Sequence, residues 1–233
     1  MAENVLVVGA GEGISASFAR KMAADGAKVV LAARDIDKLA DLAGALGAQR
    51  IACDARDPGD VKAMFNQLAD ICPTLDVVLY NPSARVRGPF VELDPDAVKN
   101  AIDVTAYGGF LVAQQAVKRM LAQGHGTILF TGASASVKGY PLSASFAMGK
   151  FALRGLAQSM ARELAPQGIH VAHFVIDGGV RSPDRPGRHE QPGDNPDSFL
   201  DPDAIAQSYM NVLRQPRSAW TWEIELRPWL ESF

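Results

Sequence analysis

The sequence predicts a single α/β domain in which one mostly parallel β-sheet of about seven strands is covered by helices on both faces. Short runs of β-branched residues alternate with longer segments of helical period, which is the pattern of repeated βαβ units. The runs Val5–Val8 and Val77–Tyr80 are apolar at every position, as in strands buried on both faces. These observations predict a doubly wound, Rossmann-type fold over residues 1–233.

The predicted strands lie at about residues 4–8, 28–33, 50–53, 76–80, 126–131, 169–176 and 222–227. A helix is predicted at about 146–165, and another begins after Asp201, because Pro202 suits the first helical position. Segment 182–200 is rich in proline, glycine and charge, which predicts a loop. Its place after a strand favours a lid or substrate loop, and a passive surface excursion is the alternative.

The composition excludes several classes of function. A net charge of −3 without a basic patch argues against a nucleic-acid partner. We expect neither secretion nor a membrane span, since the sequence has no signal-peptide pattern and no long uncharged apolar run. The two cysteines, Cys53 and Cys72, show no metal-ligand spacing, so no metal site and a reducing, cytoplasmic location are expected.

A glycine-rich segment with the sequence GAGEGIS directly follows the first predicted strand and opens a helix. Glycine permits positive φ and close backbone approach, and the free N–H groups at a helix start stabilise a diphosphate. This context predicts a phosphate-binding turn, and a tight βα turn without a ligand is the alternative. The residues of the predicted turn are Gly9, Gly11, Glu12, Gly13 and Ile14.

Five motifs in the same order resemble those of the short-chain dehydrogenase/reductase (SDR) family, over roughly residues 4–227. The turn matches G-x-x-x-G-I-G except that Ser15 replaces the last glycine. Asp54 stands where the family has an acidic residue that bonds the adenine amino group, and residues 81–84 stand where it has N-N-A-G. Lys150 matches the lysine of Y-x-x-x-K, and residues 177–182 occupy the place of P-G-x-x-x-T.

The resemblance implies a nicotinamide dinucleotide as cofactor. Its binding residues are expected to be Gly9, Gly11, Glu12, Gly13, Ile14, Arg34, Asp54, Ala55, Asn81, Ser83, Ala84, Lys150, Gly178 and Val180.

The end of the second strand indicates which dinucleotide is bound. NAD-specific sites usually have an acidic residue there, whereas this strand ends with two alanines and Arg34. Small alanines leave room for a 2′-phosphate, and a guanidinium can bind it. We therefore expect NADP(H) to be preferred, with NAD(H) possible. The alternative is that Arg34 pairs with Asp35 or Asp37 on the surface.

The catalytic pattern of the family is incomplete. Phe146 stands where the tyrosine is expected, and a phenyl ring has no proton to donate. Thr105 occupies the place of the asparagine and Ala133 that of the serine, with Ser134 one residue later. Lys150 remains, and in the family it also bonds the nicotinamide ribose. The alternative for Lys150 is a solvated helix residue.

Loss of one general acid costs about 10²–10⁴-fold in rate, so another donor is able to sustain turnover. Tyr140 and Ser134 are the proposed substitutes, because both precede Phe146 in the segment that leads to it. The candidate catalytic residues are therefore Lys150, Phe146, Ser134, Thr105 and Tyr140.

Three functions are compatible with these motifs. The favoured one is an NADP(H)-dependent oxidoreductase with an atypical active site, acting on a small or medium apolar carbonyl or alcohol. The second is a non-catalytic dinucleotide-binding sensor or partner subunit. The third, an S-adenosylmethionine methyltransferase, is disfavoured because no acidic residue closes the second strand. The apolar helix near 146–165 and the tryptophan-rich C-terminal segment predict a homodimer or homotetramer.

Overall fold

The computed structural model describes residues 3–182, 187–191 and 193–231. Its strands are β1 (Asn4–Val8), β2 (Lys28–Ala33), β3 (Gln49–Ala52), β4 (Val77–Tyr80), β5 (Gly126–Thr131), β6 (Ile169–Ile176) and β7 (Glu223–Leu226). They form one sheet in the order β3-β2-β1-β4-β5-β6-β7, and every neighbouring pair is parallel. The predicted Rossmann-type fold is confirmed, with no strand end displaced by more than one residue.

The helices are α1 (Ile14–Ala24), α2 (Ala40–Leu46), α3 (Pro58–Ile71), α4 (Pro95–Ile102), α5 (Gly108–Gln123), α6 (Ala144–Leu164) and α7 (Pro202–Leu213). A π-helical segment, Asp103–Tyr107, joins α4 to α5. Helix α7 begins as predicted, because the Asp201 carboxylate accepts a hydrogen bond from the Asp203 N–H group and Pro202 occupies the first turn.

The two faces of the sheet carry separate hydrophobic cores. In β1, Val5 and Val7 pack on the side of α1, α2 and α7, whereas Leu6 and Val8 pack on the side of α3, α5 and α6. This alternation explains why the strand is apolar at every position. Within the described residues, no helix is long and apolar enough to cross a bilayer.

Segment 182–200 contains no helix or strand in its described part, and residues 183–186 and 192 lie outside the described residues. Arg181 fixes the segment to the end of β6. Its guanidinium donates to both carboxylate oxygens of Glu190, at 2.7 and 3.0 Å, and to Asp201 at 2.6 Å. Val180 and Leu200 form a parallel bridge, so the two ends of the loop lie side by side.

The strand order reverses between β1 and β4, and their carboxyl ends lie next to each other at this switch point. Gly9 follows β1 there with φ +74°, and a Cβ atom on it would lie 2.7 Å from the Pro82 nitrogen. By contrast, a Cβ on Gly11 would meet no atom within 4 Å. The packing of the turn therefore favours glycine at position 9, whereas the backbone at Gly11 has open space beside it.

We predict that Gly9→Ala lowers the free energy of unfolding by about 1–3 kcal/mol, because alanine is strained at this φ and its methyl group collides with Pro82. Gly11→Ala is the matched control, and we expect it to change the free energy of unfolding by less than about 1 kcal/mol. Urea denaturation of both variants measures the difference. Equal stabilities would contradict the assigned contact.

Candidate active site

The glycine turn presents unpaired backbone donors. The N–H groups of Gly9 and Ala10 both donate to the Ala32 carbonyl, which fixes the start of the turn. Gly13 precedes α1 with φ +89° and provides no side-chain cap. Within the described residues, the N–H groups of residues 11–15 have no protein acceptor. The turn is thus an open cradle for a diphosphate at a helix N-terminus, and its residues fit a dinucleotide.

Ser15, where the motif departs from the family pattern, links this turn to the end of β4. Its hydroxyl donates to the Gly9 carbonyl at 3.0 Å and accepts from the Asn81 side-chain amide at 2.7 Å. The Asn81 backbone N–H donates to the Val8 carbonyl. Asn81, proposed from sequence as a cofactor-binding residue, therefore holds the glycine turn in place through Ser15.

The residues expected at the adenosine end differ in their availability. Arg34 is exposed and, in the part of the chain that the structure describes, forms no ion pair, while Asp35 pairs with Lys38 at 3.0 Å. The surface pairing considered for Arg34 is thus not observed. The Asp54 carboxylate accepts from the Arg56 Nε atom at 2.9 and 3.0 Å, and this contact lowers the pKa of Asp54. Asp54 already has a cationic partner.

Lys150 lies on α6 with its side chain buried. Only 2% of the residue is exposed, and its Nζ atom donates to the Thr131 carbonyl at 2.6 Å, at the carboxyl end of β5. Desolvation, reinforced by the charge of Arg85, lowers the pKa of Lys150 to about 7. The alternative of a solvated helix residue is therefore wrong. Because an ammonium has three donors, Lys150 keeps donors available for a ligand beside the one that Thr131 uses.

Phe146 lies one helical turn before Lys150, between two cations. The Arg85 guanidinium carbon is 4.0 Å from the centroid of the ring, and the Lys150 Nζ atom is 5.9 Å from it. The ring is 8% exposed. Cations are attracted to the electron-rich face of an aromatic ring. The Phe146 ring therefore stabilises the Arg85 guanidinium at the position where the family pattern has the tyrosine hydroxyl.

Four residues proposed from sequence line one cavity of about 420 Å³, namely Ser134, Tyr140, Phe146 and Gly178. The structure thus brings together residues that are far apart in the chain, at the carboxyl ends of β5 and β6. A second cavity of about 230 Å³, beside Trp220 and Trp222, contains none of the proposed site residues. We therefore identify the first cavity as the candidate substrate pocket.

Thr105 does not line this cavity. It is fully buried, and its Oγ1 atom accepts from the Ala84 N–H group at 3.1 Å. The Ser145 hydroxyl bonds both the N–H and the carbonyl group of Val86, at 3.0 and 2.9 Å. These two side chains hold the segment after β4 against the π-helical segment and α6, so Thr105 positions a wall of the pocket.

A buried polar chain supports the segment that carries Ser134. His173 Nδ1 lies 3.0 Å from a Glu223 carboxylate oxygen, and its Nε2 atom lies 3.3 Å from the Ser136 hydroxyl. Desolvation lowers the pKa of His173 to about 4, which keeps the ring neutral at neutral pH. The Ser136 hydroxyl in turn accepts from the Ala133 N–H group at 3.1 Å. The members of this chain lie on separate strands and loops, so their spacing in the sequence gives no signal of it.

Tyr140 is 43% exposed at the cavity and lies next to a cation. The Lys138 Nζ atom is 5.7 Å from the centroid of the Tyr140 ring and donates to Asp177 at 3.3 Å. The nearby Tyr140 hydroxyl raises the pKa of Lys138, and Asp177 raises it further. Of the two proposed proton donors, Tyr140 is thus the one with a cation beside its hydroxyl.

Three arginines, Arg85, Arg87 and Arg188, line the same cavity and were not singled out from the sequence. The signal available was the R-x-R pattern directly after the N-P-S-A segment that matches the family. No group of three or more metal-ligating side chains occurs among the described residues.

The known proteins that this chain resembles are dehydrogenases and oxidoreductases. The family model for short chain dehydrogenases matches residues 3–189. A short-chain dehydrogenase/reductase from Armillaria gallica is 31% identical, over 76% of this chain and 71% of its own. An uncharacterized oxidoreductase from Staphylococcus aureus is 27% identical over 96% of each chain.

Solved structures agree in fold. A short-chain dehydrogenase from Rhodopseudomonas palustris is 37% identical, with a TM-score of 0.82 over 97% of this chain and 99% of its own. An alcohol dehydrogenase from Thermococcus sibiricus, solved with 5-hydroxy-NADP, has a TM-score of 0.87 at 22% identity, over 100% of this chain and 99% of its own. The chain therefore belongs to the short chain dehydrogenase family and is an NAD(P)-dependent oxidoreductase.

Proposed function

We propose that this protein is an NADP(H)-preferring oxidoreductase that interconverts a carbonyl and an alcohol in the cavity over Phe146. The observation that carries the proposal is the buried Lys150, whose ammonium is held at the end of β5 near the cavity. The bound nicotinamide supplies or accepts the hydride. Lys150 and the glycine turn bind the cofactor. The cavity residues orient the substrate and transfer a proton to or from its oxygen.

The preference for NADP(H) rests on Arg34. Its guanidinium is exposed just after β2, next to two alanines, and pairs with no carboxylate of the described residues. A 2′-phosphate would supply the negative charge that the exposed guanidinium has no partner for among the described residues, and a guanidinium binds phosphate oxygens well. Asp54 is unsuited to repel that phosphate, because Arg56 already neutralises it.

The proton has to come from a residue other than Phe146. In reduction, hydride reaches the carbonyl carbon while the oxygen takes a proton from a donor, and we assign this role to Tyr140 or Ser134. Tyr140 has the stronger support because the ammonium of Lys138 lies next to its ring. Its exposure lets solvent return the proton after each turnover.

A homodimer or homotetramer remains part of the proposal. Exposed apolar side chains occur on α5 and α6, where Phe110 is 41%, Met148 52% and Phe151 43% exposed. Tyr107 stacks on Phe110 at this surface, with ring centroids 6.2 Å apart. Apolar groups of this size on neighbouring helices are typical of a surface that another subunit covers.

We predict that Arg34→Ala raises the Kd for NADPH about 10- to 100-fold, because one charge-assisted contact to the 2′-phosphate is lost. The Kd for NADH should change less than about 3-fold. Lys38→Ala, which removes a nearby cation already paired with Asp35, is the control and should leave both Kd values unchanged. Calorimetric titration measures the Kd of each variant for NADPH and for NADH. Equal weakening of both coenzymes, or of neither, would exclude Arg34 as the selective residue.

We predict that the variant lacking the proton donor, Tyr140→Phe or Ser134→Ala, lowers kcat about 10²- to 10⁴-fold, with little change in the Kd for NADPH. Tyr107→Phe removes the hydroxyl of another exposed tyrosine, outside the cavity, and should retain full activity. The measurement is steady-state oxidation of NADPH with a carbonyl substrate. Full activity in both cavity variants would rule out this assignment.

The buried Lys150 predicts a specific pH dependence of stability. Its pKa is about 7 in the folded protein and about 10.5 for a lysine in water, so between these pH values the unfolded chain binds more protons. Stability due to Lys150 should therefore rise as pH increases from 7 to 10, by about 2–5 kcal/mol relative to Lys150→Met. Urea unfolding of the two proteins over this range measures the difference. Lys62→Met, at an exposed position on α3, is the control, and parallel profiles for wild type and Lys150→Met would refute the prediction.

A further inference from the structure

Three cations converge on the cavity over Phe146, and none of them has an anionic partner among the described residues. Arg85, Arg87 and Arg188 all line it. None of the three guanidinium groups forms an ion pair or a hydrogen bond with any residue in the ranges 3–182, 187–191 and 193–231. Desolvation lowers the pKa of Arg85, and the charges of Arg87 and Arg188 lower it further. The three positive groups are thus close enough to repel one another.

The backbone after β4 explains why two of these arginines lie together. Ala84 is held by Thr105 and Val86 by Ser145, through hydrogen bonds of their backbone groups. In an extended segment, residues two positions apart project to the same side, so fixing 84 and 86 against the helices leaves 85 and 87 facing the cavity.

The third arginine comes from the loop that sequence analysis proposed as a lid. A Cβ atom on Gly179 would lie 2.9 Å from an Arg188 guanidinium nitrogen, so the guanidinium packs directly against the backbone that follows β6. The loop itself is fastened to this end of the sheet through Arg181. Loop and sheet therefore contribute charge to one pocket.

The carboxylates of the cavity do not balance these charges. Asp177 is already paired with Lys138 at 3.3 Å and with Arg227 at 3.1 Å. Glu231 also lines the cavity, where its Oε2 atom would be 3.3 Å from a Cβ on Gly178, and it forms no ion pair with a described residue. Among the described residues, three unpaired guanidinium groups thus face a single unpaired carboxylate.

We propose that this cavity binds the substrate through an anionic group, a carboxylate or a phosphate, held by Arg85, Arg87 and Arg188. The guanidinium fork matches the oxygen geometry of either anion, and three guanidinium groups around one cavity attract negative charge together. This inference rests on the proposed oxidoreductase function, and it replaces the apolar substrate expected from sequence with a charged carbonyl compound or alcohol.

Phe146 has a binding role in this arrangement, because its ring holds one of the arginines. Its ring supports the Arg85 guanidinium at 4.0 Å, and Lys150 lies within 5.9 Å of the same ring. The anionic group is thereby bound next to the place where the family pattern has the tyrosine. None of the residues of the glycine turn lines this cavity, so the arginines and the turn are separate anion sites.

The test compares substrates matched except for charge. The probes are levulinate against its methyl ester, and dihydroxyacetone phosphate against dihydroxyacetone, each with NADPH. We expect the anionic member of at least one pair to have a kcat/KM at least about 10-fold higher, as one charged hydrogen bond provides. The pair that responds distinguishes carboxylate from phosphate. Equal or faster reduction of both neutral members would overturn the proposal.

Variants connect the preference to the three arginines. Arg85→Gln, Arg87→Gln and Arg188→Gln should each lower kcat/KM for the preferred anion about 10-fold or more, while the neutral partner and the Kd for NADPH change less than about 3-fold. Arg85→Lys should restore part of the loss because it keeps the charge. Lys62→Gln, an exposed change of equal charge on α3, is the control. If the Kd for NADPH rises together with the loss, the arginines serve the cofactor and the proposal fails.

Calorimetry separates this inference from the proposed function. Levulinate and dihydroxyacetone phosphate are titrated into the protein with and without NADP+. Anion binding that the Arg→Gln variants weaken supports the site even if no compound is reduced, an outcome that would count against the proposed function alone. Absence of heat with both anions would overturn the inference, and NADPH oxidation with neutral carbonyls would then leave the oxidoreductase function intact.

Discussion

The hydrogen-bonded chain from Asn81 through Ser15 to Gly9 is the contact on which the rest of the site depends. It ties the end of β4 to the turn after β1, where Pro82 packs against the glycine too closely for any side chain. Because this contact sits at the switch point of the sheet, it places the open N–H groups of the turn in the crevice where doubly wound folds bind ligands. Ser15, which stands where the family motif has its last glycine, therefore has a structural role: its hydroxyl joins the Gly9 carbonyl to the Asn81 side chain.

The second half of the site is organised by charge. In place of a tyrosine, the chain has an aromatic ring with Arg85 on its face and the buried Lys150 close by. Such a pocket favours the binding of an anionic group. The alternative of a non-catalytic sensor gains no support from the relatives, which are named as oxidoreductases or dehydrogenases.

The sequence predicted the features that follow from local pattern. Strands buried on both faces are apolar throughout, and the proline after Asp201 marks the start of α7, so strand positions and this helix were correctly predicted. Family resemblance assigned Lys150 to the cofactor site, but its burial and its hydrogen bond to Thr131 are visible only in the structure. The meeting of Arg85 with Arg188, and the support of Ser136 by His173, depend on long-range packing of loops, which residue spacing does not encode. Likewise, Thr105 was assigned by position alone, and only the structure shows it holding Ala84.

The most direct test of this account is a crystal structure of the protein with NADP+. We predict electron density for the diphosphate against the backbone of residues 9–15, for the 2′-phosphate at Arg34 and for the nicotinamide ribose at Lys150, with the cavity over Phe146 left open for a substrate. A dinucleotide bound elsewhere, or no bound dinucleotide in crystals grown at saturating concentration, would contradict the account.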